Sequence, residues 1–144
     1  MKNAAFIIIG ILLMSWFIYL ETKRDAEIDK VGLEDLDLQL LGVVDSVDNG
    51  ENFNGYGIIR LKIISTNIQE YHPPYKQEFY YCIIKNGMAE IYDHTFVSKV
   101  DTVAIDTKKK IMTYFENGKE VVSSISINGN RSYYEYIRQK TIFK

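Results

Sequence analysis

"YCIIKNGMAEIY", residues 81–92, decides the fold class. Asn and Gly both tolerate positive φ, which a two-residue type I′ hairpin demands at both central positions, so the chain is expected to reverse at Asn86-Gly87. The implied register sets Ile84 opposite Ala89 and Cys82 opposite Ile91 on an apolar face. Lys85 with Met88, Ile83 with Glu90, and Tyr81 with Tyr92 then share the other face. Alternation with period two is the signature of a strand.

Working outward, Asn-Gly occurs five times, at Asn49-Gly50, Asn54-Gly55, Asn86-Gly87, Asn117-Gly118 and Asn128-Gly129, using five of the nine glycines. Around Asn117-Gly118 the register places Glu116 opposite Lys119, an attractive pair, and Tyr114 opposite Val121. Around Asn128-Gly129 it places Ile125 opposite Ser132 and Ser123 opposite Tyr134, which predicts a three-stranded meander through Lys119 to Ile127. Two runs precede these. "LDLQLLGVVDSV" (36–47) alternates Leu36, Leu38 and Leu40, then changes parity to Leu41 and Val43 around Gly42, as a bulged or bent strand requires. "YGIIRLKIIS" (56–65) sets Ile59, Leu61 and Ile63 against Arg60 and Lys62, a strand with one solvated face.

Composition agrees. Eleven Tyr and seven Phe against two Pro favour strands over helices. The chain has 144 residues, enough for one modest core. The expected fold is mainly β: one N-terminal transmembrane helix followed by a small antiparallel barrel or sandwich, OB-like, with little further helix.

The helix is predicted from "AAFIIIGILLMSWFIYL", the seventeen apolar or near-apolar residues from Ala4 to Leu20. As a helix they span about 25 Å, close to a hydrocarbon core of about 30 Å, with Trp16 and Tyr19 at the interface and Lys23 and Arg24 snorkelling. A cleavable signal needs small residues after its apolar core, whereas "SWFIYLETKRD" is bulky there, so an uncleaved single-pass anchor is expected. No cysteine follows for lipid attachment. Flanking Lys and Arg count toward a cytoplasmic C-terminal domain; the short start with one Lys before an apolar core is how export signals begin, and on that ground the domain is expected outside the cytoplasm. The organisation is then an anchor (1–20), a charged tether (21–35) and a β domain (36–144). The tether "ETKRDAEIDKVGLEDLD" reads as a frayed continuation of the helix or a solvated linker with nothing to nucleate a core.

Of 17 Lys and Arg only Lys2 lies in the first twenty residues, against 19 Asp and Glu, so the remainder carries a net charge of −3. That balance gives no drive toward nucleic acid, despite Lys108, Lys109, Lys110 and the tail "YYEYIRQKTIFK". Cys82 is the single cysteine, so neither an intrachain disulfide nor a multi-cysteine metal site exists, and in a strand-like run it reads as a small buried apolar residue. A Cys82–His94 dyad fails on geometry: an odd offset along the strand puts the two side chains on opposite faces. "DSVDNGENFNG" (45–55) offers Asp45, Asp48, Asn49 and Glu51 as oxygen ligands without EF-hand spacing, and reads as a polar turn.

The stretch with binding character is "EYHPPYKQEFYY" (70–81). Its prolines bar it from a central strand, and Tyr71, His72, Tyr75, Phe79 and Tyr81, with Tyr92 across the hairpin, form the expected aromatic patch for a partner. No catalytic template is present and no cofactor is expected. The expected partners are the membrane, through the helix, and a protein. The expectation is a non-enzymatic interaction or structural module of the cell envelope; a membrane-tethered enzyme or carbohydrate-binding barrel is the alternative.

The layout of the anchor, then "LGVVDSVDNGENFNGYGIIRLKI", then "VDTVAIDTKKKIMTYFENGKE", resembles small membrane-anchored β proteins of Bacteroidota-type bacteria. In those a G-x-V strand, an Asn/Gly-rich turn and a later Gly-Asp-Ser/Thr strand recur; Val100-Asp101-Thr102 stands at the last position here. The resemblance implies the architecture and no site residues.

Overall fold

The computed structural model describes residues 2–97, 102–116 and 118–143. A long helix, α1 (Lys2–Asp29), leads through a π-type turn (Lys30–Glu34) into seven strands and a final helix. The strands are β1 (Gln39–Asn49), β2 (Tyr56–Thr66), β3 (Cys82–Lys85), β4 (Met88–His94), β5 (Thr102–Asp106), β6 (Ile111–Glu116) and β7 (Lys119–Ser124); the helix is α2 (Arg131–Lys140). They form one antiparallel sheet in the order β3-β4-β2-β1-β5-β6-β7.

Both readable hairpins keep the register their turns imply. Cys82 faces Ile91, Ile84 faces Ala89, and Asn86 and Gly87 hold φ of 54° and 75°, as a type I′ turn demands. Tyr114 faces Val121 and Glu116 faces Lys119 across the second turn, whose Asn117 lies outside the described residues, as do Val100 and Asp101.

β1 is bent as expected, with register shifts at Leu41/Gly42 and Val44/Ser46. Gly42 is needed there because a Cβ would sit 2.9 Å from the Lys62 carbonyl oxygen of the neighbouring strand. The change of face comes later than the sequence suggests: Leu38, Leu40 and Val44 are all buried, while Leu41 and Val43 are half-exposed. The second bulge performs the switch.

The sheet does not close into a barrel. Among the described residues β7 has β6 as its one partner strand, and the outer edge of β3 meets only Tyr71, in a single bridge to Ile84. The third hairpin does not form either. Beyond Asn128-Gly129 the chain enters α2, because Asn130 caps it, its side chain accepting the Ser132 N–H at 2.9 Å. Tyr133, Tyr134 and Ile137 then fall on one helical face and are fully buried. Arg138 and Lys140 in the last turn suit the negative end of the helix dipole.

α2 lies against the sheet over β1 and β2. Tyr133 donates to the Gly57 carbonyl (2.6 Å), Tyr136 to Asp48 Oδ1 (2.6 Å), and Arg60 reaches the Lys140 carbonyl (2.9 Å).

The segment read as a frayed continuation of the helix or a solvated linker continues the helix to Asp29, and its far end enters the core. Glu, Lys, Arg and Ala carry the helix past the apolar run. Ile28 packs on the core, and Leu33 and Leu36 belong to it at 0% and 5% exposure. Arg24 donates to the Gly129 carbonyl at 2.8 Å and Asp29 accepts the Ile127 N–H at 3.0 Å. At Gly32 the helix comes so close to Ile127 that a Cβ would collide with that side chain. The remaining stripe, from Phe6 to Leu20, has its large apolar side chains exposed, and this helix, alone among the described residues, is long and apolar enough to cross a membrane.

Candidate functional site

The β2–β3 crossing, residues 67–81, is the longest described irregular segment between strands and borders three recesses. The structure divides the sequence-predicted aromatic patch among them and the core. Tyr71 is half-buried, exchanging backbone hydrogen bonds with Ile84 at 2.9 and 2.8 Å, and burial pushes its phenol up to about 12. His72 is exposed, with Nδ1 3.1 Å from the Pro73 carbonyl. Tyr75 projects entirely into solvent. Phe79 lies half-buried, edge-on to Tyr134 at 5.2 Å.

Tyr81 and Tyr92 are not on the surface at all. Both have 0% exposure, because α2 and the crossing cover the face that sequence alone left open. Tyr80, absent from the expected patch, packs on Tyr92 at 5.4 Å and on Tyr134 at 5.2 Å. Its neighbour relation to α2 has no signal in the local pattern, since it depends on a helix more than fifty residues away.

A recess of about 720 Å³ runs between the end of α1 and residues 76–79. Arg24, Glu27, Ile28 and Val31 line one wall, a single stripe of the helix; Lys76, Gln77, Glu78 and Phe79 line the other, and Arg131 closes it from α2. Arg131 pairs with Glu78 at 2.6 Å, while Phe79, Ile28 and Val31 supply the apolar surface. A second recess of about 330 Å³ is walled by His72, Pro74, Tyr75, Tyr80 and Arg138.

Two buried carboxylates stand apart from these recesses. Glu90 at 0% exposure receives Arg60 Nε (2.9 Å), the Tyr92 hydroxyl (3.0 Å), the Thr141 hydroxyl (2.6 Å) and the Ile142 N–H (3.1 Å). Its lone pairs are fully used in holding the end of α2 to the sheet. Asp93 accepts the His94 N–H at 2.7 Å through Oδ1, but its Oδ2 and the Tyr81 hydroxyl are buried without a well-formed hydrogen bond. Burial pushes the Asp93 carboxyl up to about 7, opposed by the His94 N–H and the nearby Tyr81 hydroxyl.

The other candidates are accounted for by structure. Cys82 is buried opposite Ile91, its thiol pushed well up by burial, whereas His94 stacks on Tyr56 and Phe96 at 3.9 and 5.7 Å. In the 45–55 stretch, Asp45 pairs with Lys62 (2.7 Å) and Asp48 accepts from Tyr136. Among the described residues no group of three or more His, Cys, Asp or Glu is placed to hold a metal ion. Lys108, Lys109 and Lys110 pair with Asp37, Asp106 and Asp29 at 2.8, 3.1 and 3.8 Å, which spends the basic run on the fold.

No family model, curated protein or solved structure matches the chain. The fold and site therefore define the class directly: a β-sheet protein with one N-terminal helix able to span a membrane.

Proposed function

We propose that the chain is a single-pass membrane protein whose β domain serves as a non-enzymatic interaction or structural module of the cell envelope, held outside the cytoplasm. The observation that carries this reading is the continuity of α1 from its exposed apolar stripe into the base of the domain, where Arg24, Ile28, Asp29 and Leu33 are built into the fold. Cleavage after the apolar run would cut into a segment that the domain uses, which supports an uncleaved anchor. The layout resemblance to membrane-anchored β proteins supports the same arrangement.

The open edge of β7 supports an interaction role. Val122 is 58% exposed on that strand and Phe115 51% on its neighbour, and unpaired backbone groups along the edge offer strand addition to an extended partner segment. The two buried carboxylates, Glu90 and Asp93, are packed inside the domain, and of the two that line the recess beside the end of α1, Glu78 is held by Arg131 at 2.6 Å.

The test is protease accessibility of a C-terminal tag in intact cells with a permeabilised outer layer. Digestion before lysis is the expected result. Survival until lysis places the domain in the cytoplasm, as the flanking-charge count predicts, and overturns the envelope reading.

A further inference from the structure

We propose that the groove between α1 and residues 76–79 seats a phospholipid headgroup from the bilayer that α1 crosses, of the class that joins a phosphodiester to a hydroxyl or ammonium donor. The inference rests on the membrane-spanning reading of α1.

Position comes first. The apolar run ends at Leu20, and at about 1.5 Å per residue Arg24 lies about 6 Å beyond it and Val31 about 16 Å. The polar layer on each side of a hydrocarbon core is about 5–8 Å deep. The Arg24 end of the groove therefore opens within the headgroup layer, and the remainder rises just above it.

Chemistry agrees with position. Arg24 is fixed by its bond to the Gly129 carbonyl, and Lys76 and Arg131 line the same groove. Three cations meet two carboxylates, and Glu78 is already matched by Arg131 at 2.6 Å. Arg24 and Lys76 remain to hold a phosphate by charge-assisted hydrogen bonds. Glu27 remains to accept from a hydroxyl or ammonium, a contact that a choline headgroup cannot make.

The helix stripe continues the argument into the bilayer. Val31, Ile28, Arg24 and Glu27 share a face with Leu20, Phe17 and Leu13 one to three turns below, all exposed. A lipid with its phosphate at Arg24 would lay an acyl chain along those side chains. A free phosphate would gain nothing from them or from Phe79.

The test uses the full chain. Retention in alkali-washed membranes is read first: release into the supernatant defeats the anchor reading, independently of the groove. Native mass spectrometry in mild detergent then counts bound phosphatidylethanolamine and phosphatidylcholine. Preferential retention of phosphatidylethanolamine is expected, with Lys76→Ala and Arg24→Gln each lowering it about five-fold, the effect of removing about 1 kcal/mol of cation–lipid attraction. Lys85→Ala, on the exposed β3–β4 turn, should leave retention unchanged. Equal retention of the two lipids, indifference to both groove substitutions, or displacement by millimolar glycerophosphoethanolamine would each overturn the proposal, the last by showing a site for a soluble phosphodiester.

Discussion

The Thr141 hydroxyl donates to Glu90 Oε2 at 2.6 Å, tying the residue that ends α2 to a carboxylate in the middle of β4. With Arg60, Tyr92 and Ile142 on the same carboxylate, Glu90 joins three separate parts of the chain. This buried polar cluster is thus a clasp that holds the end of α2 to the sheet.

Glu90→Ala should cost about 3–5 kcal/mol, because it leaves Arg60, whose side chain is 14% exposed, without its partner. Replacing both, as Arg60→Met with Glu90→Leu, should recover most of that loss. Denaturant unfolding of the full chain in detergent micelles measures both variants, and a double variant as weak as the single one would refute the clasp.

Asp93 makes stability depend on pH. Its folded carboxyl sits near 7 against 3.8 for the free group, so from about pH 4 upward the unfolded chain ionises while the folded chain keeps its proton. Stability should fall as pH rises through this window, by about 4 kcal/mol once both forms are ionised above pH 7. Asp93→Asn should remove that fall. Thermal melts at pH 4 to 8 should show the difference between variant and parent growing with pH, and parallel profiles would contradict it.

Leu33→Ala should destabilise the domain by about 2–5 kcal/mol, since Leu33 is wholly buried though it lies in a stretch that resembles a linker. Limited trypsin digestion should then cut faster at Lys23, Arg24 and Lys30. Val31→Ala, at a 56% exposed neighbour, should change stability by no more than about 0.5 kcal/mol. Equal digestion of both variants would mean that α1 is not docked.

Val122→Lys should leave the melting temperature nearly unchanged, because the side chain is 58% exposed on the edge strand. It should abolish partner capture by a photo-crosslinking residue placed at Phe115, since a charge on an edge opposes strand addition. Capture that persists would move the interaction surface away from β7.

The parts of this protein legible in the sequence are those governed by neighbours along the chain. The apolar helix follows from composition, the pairs Cys82–Ile91 and Tyr114–Val121 follow from turn chemistry and period-two alternation, and the Gly42 bend follows from an interrupted alternation. Of the candidate site, Tyr71, His72, Tyr75 and Phe79 could be placed on a proline-stiffened crossing because prolines exclude a central strand there. Only the tertiary structure decided the rest. The tyrosine-rich run at 133–136 suits a strand or a helix locally, and the Asn130 cap together with burial of Tyr133, Tyr134 and Ile137 selected the helix. That helix helps to cover Tyr81 and Tyr92 and leaves the aromatic patch split. The end of α1 meets the core through Ile127, nearly a hundred residues later, which is brought against Gly32 and Asp29. Burial depends on which distant segments arrive together, and local pattern carries no record of that.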